Sequence, residues 1–427
     1  MKKIAIVNGV RTPFIKAWDA FDDIPAQGLG VLCVKELLKQ TGLDGRLVDE
    51  VVLGCVGQPV EAANVARVVS LLAGIPQEKR ACTVSRNCAS GFESVIIAAE
   101  KIRCGSDEVV IAGGAESMSN MPMLFRKEAA TLFRNLSKAK TLSEKFKILI
   151  RMRPRHFAPV SSLVLGLTDP VCGLAMGQTA EMLAKEFAIS REEQDRFALE
   201  SHRRAAAAKR KLHEETMDVF ISSDRRGCVR EDNGIRENQT LAALTNLKPI
   251  FEKKTGTVTA GNASQISDGA CALLLMSEEK AKSLGCEVLG TLRDHLSVGL
   301  EPSRMGLGPA LAISRILERN SLKLDDIDLF EINEAFAVQV LACLRALACP
   351  EFAKRNFSSG APVGMIPREI LNVNGGAIAL GHPVGTSGAR LILTCLKEMK
   401  RRSLKRGLVS ACVGGGQGTA LILERGS

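Results

Sequence analysis

Apolar positions along the chain keep two rhythms, and their order repeats. From Gly28 to about Lys39 they recur at helical spacing, and Val48-Asp49-Glu50-Val51-Val52-Leu53-Gly54 then reads as a buried strand. Ala81-Cys82-Thr83-Val84 predicts another strand, followed by Phe92, Val95, Ile96, Ala99 and Ile102 at helical spacing. Glu108-Val109-Val110-Ile111-Ala112 then predicts a strand running into Gly113-Gly114. The order returns late in the chain. A helix is expected at Ala310–Arg319, a strand at Asp326–Ile332, another at Leu371-Asn372-Val373, then a helix after His382, and Leu408–Val413 running into three glycines. Strands alternating with helices predict parallel sheets covered by helices, and two copies predict two similar domains packed together.

Between the copies, Asn120 to Glu252 is polar and helix-rich, with a strong helix expected at Gly177–Leu183. Gly256-Thr257-Val258-Thr259-Ala260 is strand-like and is expected to complete the earlier sheet. The division is therefore residues 1–119 plus 253–287, an inserted region at 120–252, and residues 288–427.

With 427 residues, 46% hydrophobic and 24% charged, the chain is long enough for two or three domains. No apolar run reaches about 18 residues, and the opening Met1–Gly9 turns polar too soon for a signal-peptide core. A soluble, cytoplasmic protein is expected. The 13 cysteines have irregular spacing and no C-x-x-C pair, which argues against a metal site or a disulfide framework.

The net charge of +10 is concentrated in one place, since Arg126–His156 holds ten Lys/Arg against two Glu. Aromatics at 4%, with no tyrosine, exclude a typical nucleic-acid reader. Within that stretch, Lys145-Phe146-Lys147-Ile148-Leu149-Ile150-Arg151 suits a helix that docks on a membrane surface or a partner, or is simply solvated.

Four motifs carry candidate chemistry. Ser90 and Glu93 form an S-x-x-E capping box, so Cys88 is expected at a helix N-terminus, where free amides and the dipole would lower its pKa. Asn374–Gly385 is too glycine-rich for a helix or strand and reads as a shaped loop presenting His382, a candidate base. Cys412 ends a strand before Gly414-Gly415-Gly416, where backbone amides can approach a substrate oxygen closely. Asn333 in Asn333-Glu334-Ala335-Phe336 either orients a water or caps the next helix, and alone it reads as a cap.

Together these motifs resemble the thiolases over nearly the whole chain, through Asn87-Cys88-Ala89-Ser90-Gly91, Asn333–Phe336, Gly381-His382-Pro383, Cys412 with its glycines, and Gly256–Ser264. The resemblance implies an α/β fold with a five-layered αβαβα core and an inserted loop domain. It also implies that Cys88 is the acylated nucleophile, His382 takes its proton, and Cys412 is the acid and base at the adjacent carbon. Asn333 would hold a water for one oxyanion hole, and the amides of Cys88 and Gly414 would form the other. Coenzyme A would be a co-substrate, with no tightly bound cofactor, near Leu167, Arg236, Phe251, Ala260 and Ser264, and the substrate would meet Met176, Met305 and Phe336. Many short-chain thiolases carry His before the Met-Gly of this region, where this chain reads Leu174-Ala175-Met176-Gly177. The basic stretch from Leu124 to His156, with Ala158-Pro159-Val160 after it, looks like the beta subunit of the trifunctional fatty-acid oxidation complex. That subfamily commonly has His where this chain has Asn333. The likeness implies 3-ketoacyl-CoA cleavage in fatty acid beta-oxidation, a homodimer or homotetramer, and a hydratase-dehydrogenase alpha subunit as partner. The rival readings are an acetoacetyl-CoA thiolase working in the condensing direction, a decarboxylating condensing enzyme, and a silent acyl-CoA- or lipid-binding relative. A second active-site Cys disfavours the condensing enzyme, and the presence of Cys88, His382 and Cys412 together disfavours the silent relative.

Overall fold

The computed structural model describes residues 2–221 and 227–425. Its principal strands are β1 (Ile4–Arg11), β2 (Glu50–Gly54), β3 (Arg80–Val84), β4 (Val109–Ser117), β5 (Ser267–Ser277), β6 (Gly290–Gly299), β7 (Leu329–Ile332), β8 (Arg406–Val413) and β9 (Gln417–Glu424). Its principal helices are α1 (Ala26–Thr41), α2 (Val65–Leu72), α3 (Ser90–Cys104), α4 (Lys127–Lys138), α5 (Leu142–Leu149), α6 (Ser162–Gly166), α7 (Met176–Glu186), α8 (Arg191–Ala207), α9 (Gly308–Arg319), α10 (Ala337–Ala348) and α11 (Ser387–Arg402).

The strands pair in the order β7-β8-β9-β6-β1-β5-β4-β2-β3. The sequence pattern predicts parallel sheets, but the pairing is mixed. Only β2/β3, β2/β4 and β7/β8 are parallel, while β1, β5, β6 and β9 run antiparallel to their neighbours. The halves meet where Ile4–Ile6 of β1 pairs with Gly290–Leu292 of β6.

Side-chain alternation along the strands produces the layers. Val51, Leu53, Val109 and Ile111 point to one side, into a core with Leu29 and Val34 of α1 and Val65 and Val69 of α2. Their neighbours Val52, Val110 and Ala112 point the other way, into a core shared with Phe92 and Val95 of α3 and Leu391 and Ile392 of α11. That middle core also takes Leu329, Val409 and Leu421 from the second half. Phe330, Leu408 and Ile422 face outward onto Ile313 of α9 and Val340 of α10. The result is a helix–sheet–helix–sheet–helix sandwich. Each fully buried Leu, Ile or Phe contributes roughly 1.5–3 kcal/mol of hydrophobic stabilisation before entropy is counted.

Three expected elements differ. Residues 256–260 form no strand. The carboxylate of Glu181 on α7 accepts from the amides of Thr257 and Val258 there, and β5 completes the sheet instead. Leu371–Val373 makes only a single bridge, Phe330 to Leu371. Asn372 takes a left-handed φ of 47°, and its side chain accepts from the Ile332 amide and donates to the Ile332 carbonyl, replacing a strand partner. Within Asn374–Gly385, Ala377–Leu380 forms a short helix.

The middle layer demands close approach. A Cβ on Gly91 would lie 2.6 Å from the Ala389 amide nitrogen, and one on Gly388 would lie 2.5 Å from that of Phe92. Glycine at both positions lets the first turns of α3 and α11 cross almost backbone to backbone.

Candidate active site

Cys88 lies in the tight turn from β3 to α3. Asn87 before it has a left-handed φ of 44°, an uncommon conformation for a residue other than glycine. The expected capping box does not form, because α3 begins at Ser90 itself. Ser90 Oγ instead accepts from the Arg86 amide at 2.8 Å and donates to the Asn87 carbonyl at 2.7 Å. Glu93 pairs with the Arg86 guanidinium at 2.6 Å. The motif therefore braces the bend that presents the cysteine. Asn87 Nδ2 also donates to the Gly414 carbonyl at 2.7 Å, tying this bend to the glycine turn after β8.

Although Cys88 stays partly accessible, burial of its sulfur pushes the thiol above its ordinary value, against the expected lowering. The amide N–H groups of Gly414 and of Cys88 itself pull the other way. They are the pair named from sequence as backbone donors.

His382 is 6% exposed, in the bend between the short helix and α11. Gly381 before it has φ 108°, which glycine tolerates. Ser387 Oγ sits 2.6 Å from Nδ1 and donates its own proton to the Pro383 carbonyl at 3.0 Å. The hydroxyl is thus left to accept from Nδ1–H, which leaves Nε2 unprotonated, as an acceptor. Burial, followed by the Arg390 charge, pushes His382 down to about 4, so it is neutral at pH 7. Glu116 anchors the same loop, accepting from the amides of Val56, Gly57 and Gly385 at 2.7–3.0 Å.

Asn333 follows β7 and caps no helix, since α10 starts at Ala337 after Phe336. Its Nδ2 lies 3.4 Å from His382 Nε2, and its buried Oδ1 has no partner among the described residues. A water beside His382 would supply one. Cys412 ends β8 fully buried, and burial raises its thiol well above normal, with Cys88 the next contributor.

Cys88, His382, Cys412 and Gly414 line one cavity of about 290 Å³, with Met176, Met305 and Phe336 in its wall. A second cavity of about 590 Å³ adjoins it and shares Leu167, Met176, Ser264, Phe336 and His382. All five residues named for coenzyme A, Leu167, Arg236, Phe251, Ala260 and Ser264, line this second space. Asn333 lines neither and joins the site through His382. Sequence reasoning missed Asn87, Ser387 and Glu116. The position of Ser387 at the start of the helix after His382 was the available signal, whereas the partners of Glu116 are too distant along the chain to leave one.

Two family models match, the thiolase N-terminal domain over residues 4–279 and the thiolase C-terminal domain over 286–425. The chain is 42% identical to 3-ketoacyl-CoA thiolases of Yersinia pestis and Yersinia pseudotuberculosis over 425 residues, covering 99% of this chain and 97% of each relative. Among solved structures, the acetyl-CoA acetyltransferase of Bacillus anthracis superposes with a TM-score of 0.87 at 36% identity, covering 99% of both chains. Human mitochondrial 3-ketoacyl-CoA thiolase in complex with CoA gives 0.85 at 35%, covering 100% of this chain and 98% of that one. With two cysteines and a neutral histidine around one cavity and both family models spanning the chain, this protein belongs to the thiolase family.

Proposed function

We infer that the chain is a 3-ketoacyl-CoA thiolase, an acetyl-CoA C-acyltransferase that shortens 3-ketoacyl-CoA in fatty acid beta-oxidation with coenzyme A as co-substrate. The observation that carries this reading is the shared cavity of Cys88, His382, Cys412 and Gly414, beside a larger space lined by Arg236.

The Cys88 thiol gives its proton to His382 Nε2, and the sulfur attacks the 3-keto carbon. The C2–C3 bond breaks, its electron pair forms the enolate of acetyl-CoA, and the Cys412 thiol protonates C2. After acetyl-CoA leaves, Cys412 takes the thiol proton of incoming coenzyme A. The coenzyme A sulfur then attacks the Cys88 thioester, and Cys88 regains its proton from His382. The Nε2–H formed in the first step, with a water held by Asn333, stabilises the enolate oxygen. The amides of Cys88 and Gly414 stabilise the oxyanion on the acyl carbon, and removing one such donor typically costs about 100-fold in rate.

The same reading takes 120–252 as an inserted unit between 1–119 with 253–287 and 288–427. It assigns a homodimer or homotetramer, with 126–156 as a docking surface for a membrane or for a hydratase-dehydrogenase subunit. The exposed side chains of Leu142, Phe146 and Ile150 among lysines and arginines support that surface.

The test is intact-protein mass spectrometry after mixing with 3-ketoacyl-CoA, alongside thiolysis assays. The wild-type chain gains one acyl group and Cys88→Ala gains none and is inactive. An acylated, active Cys88→Ala protein would refute the assignment.

A further inference from the structure

Glu334 follows Asn333, is fully buried and lines neither cavity, and no step above uses it. Its carboxylate nevertheless collects three donors. Oε1 accepts from Asn372 Nδ2 at 2.8 Å, and Oε2 accepts from Ser201 Oγ at 2.6 Å and from the Ile378 amide at 3.3 Å. Ser201 Oγ, on α8, in turn accepts from the Gly376 amide at 3.1 Å. We propose that Glu334 is a positioning residue for the reaction, fixing Asn333 and His382 against each other by pinning both backbone segments that carry them. The proposal rests on the thiolase reading above.

Each carboxylate oxygen reaches one of the two segments. Asn372, held by Oε1, bonds to both the amide and the carbonyl of Ile332, so the chain is fixed one residue before Asn333. Oε2 and Ser201 hold the amides of Ile378 and Gly376, in the turn and short helix that lead through Gly381 to His382. The fit is close, since a Cβ on Gly376 would lie 2.3 Å from the Glu334 carboxyl carbon. Where the two segments meet, Asn333 Nδ2 and His382 Nε2 stand 3.4 Å apart. Burial pushes the Glu334 carboxyl above its ordinary value, while the three donors and then the Arg390 charge favour its ionised form. Glutamine would keep the shape of this side chain but not its chemistry. Its Nε2 must face either Asn372 Nδ2 or the Ser201 and Ile378 donors, so one half of the clamp is lost.

The experiment measures kcat, KM and Tm for thiolysis of acetoacetyl-CoA by the wild-type protein, Glu334→Gln, Ser201→Ala, the double variant and Leu199→Ala. Leu199 is buried on α8 outside this network, so its truncation reports what loosening the helix does by itself. Glu334→Gln is expected to lower kcat at least about 30-fold with KM within about threefold, because the reacting groups shift while the cavity walls stay. Ser201→Ala is expected to lose about tenfold in kcat, and the double variant far less than the product of the two losses, since Ser201 acts through the carboxylate. Leu199→Ala is expected to keep kcat within about threefold below its Tm. Unchanged kcat in Glu334→Gln, a loss that Leu199→Ala matches, or single losses that multiply in the double variant would overturn the proposal. If Glu334→Gln does not fold, Ser201→Ala decides: kcat lost with KM kept supports the clamp, and kcat kept ends it. Failure of the thiolase reading itself would look different, with no thiolysis by the wild type.

Discussion

Burial and hydrogen bonding pull the Cys88 sulfur in opposite directions, and burial wins. The helix-terminus argument from sequence weighs only the amides and the dipole, because the environment that desolvates the sulfur comes from Met118, Leu163 and Val384, far along the chain. His382 is displaced downward, to about 4, first by burial and then by Arg390. A raised thiol beside a lowered imidazole is a neutral pair at pH 7, not a thiolate–imidazolium pair. On the proposed mechanism, substrate binding, not the resting charge state, draws the proton from sulfur to nitrogen. The expected consequence is that iodoacetamide alkylation of Cys88 in the free enzyme climbs about tenfold per pH unit from pH 6 through pH 8. A plateau reached below pH 7 would mean that the thiolate already exists at rest, and the neutral-pair account would fail.

At the scale of elements, α3, α1 and the strands β2, β3 and β8 were readable because their apolar spacing is local. Strand direction was not readable. β5 reaches its place between β1 and β4 only after residues 118–266, so its antiparallel register depends on distant pairing. Of the candidate site, Cys88, His382 and Cys412, which line one cavity, could be picked out because each is a nucleophile or base type of residue set near glycine. The Asn87, Ser387 and Glu116 supports could not, since each acts through a partner brought by the fold. The basic stretch 126–156 presents a different element-level problem. On α5 and just beyond it, Leu142, Phe146, Leu149 and Ile150 recur at helical spacing yet are all exposed, interleaved with Lys145 and Lys147. Edge-to-face packing of Phe133 with Phe125 and Phe157, at 5.5 and 6.0 Å, holds the neighbouring α4 in place and leaves that stripe free among the described residues. An apolar stripe flanked by cations suits an anionic lipid surface. In liposome flotation at low salt, the protein is expected to rise with vesicles containing anionic lipid, and Leu142→Glu/Phe146→Glu is expected to stay below. Identical behaviour of the two proteins would remove the membrane assignment and leave the partner subunit as the occupant to test.

For the whole molecule, catalysis depends on how the two halves are pressed together. Cys88 enters from the N-terminus of α3 and His382 from the bend before α11, and these helices form the middle layer between the two sets of strands. The distance between Cys88 and His382 is therefore set by the crossing at Gly91 and Gly388, not by either half alone. The groups in the way are backbone, which cannot rotate aside as a flexible side chain does. A branched side chain at Gly388 must push the Phe92 amide, and with it the start of α3, away from α11. The cost should fall in the overpacking range of about 1–3 kcal/mol, and the larger effect should be on rate, because a shift of about 1 Å between reacting groups can cost about 100-fold. Gly388→Val is therefore expected to lower Tm by several degrees and thiolysis of acetoacetyl-CoA by at least about 100-fold. Gly42→Asn, at a helix end whose φ of 64° Asn tolerates and where a Cβ has no heavy atom within 4 Å, should change neither much. A Gly388→Val protein with full activity would show that the Cys88–His382 geometry does not depend on this crossing. A loss of Tm matched by full activity per folded molecule would assign the glycine to stability alone.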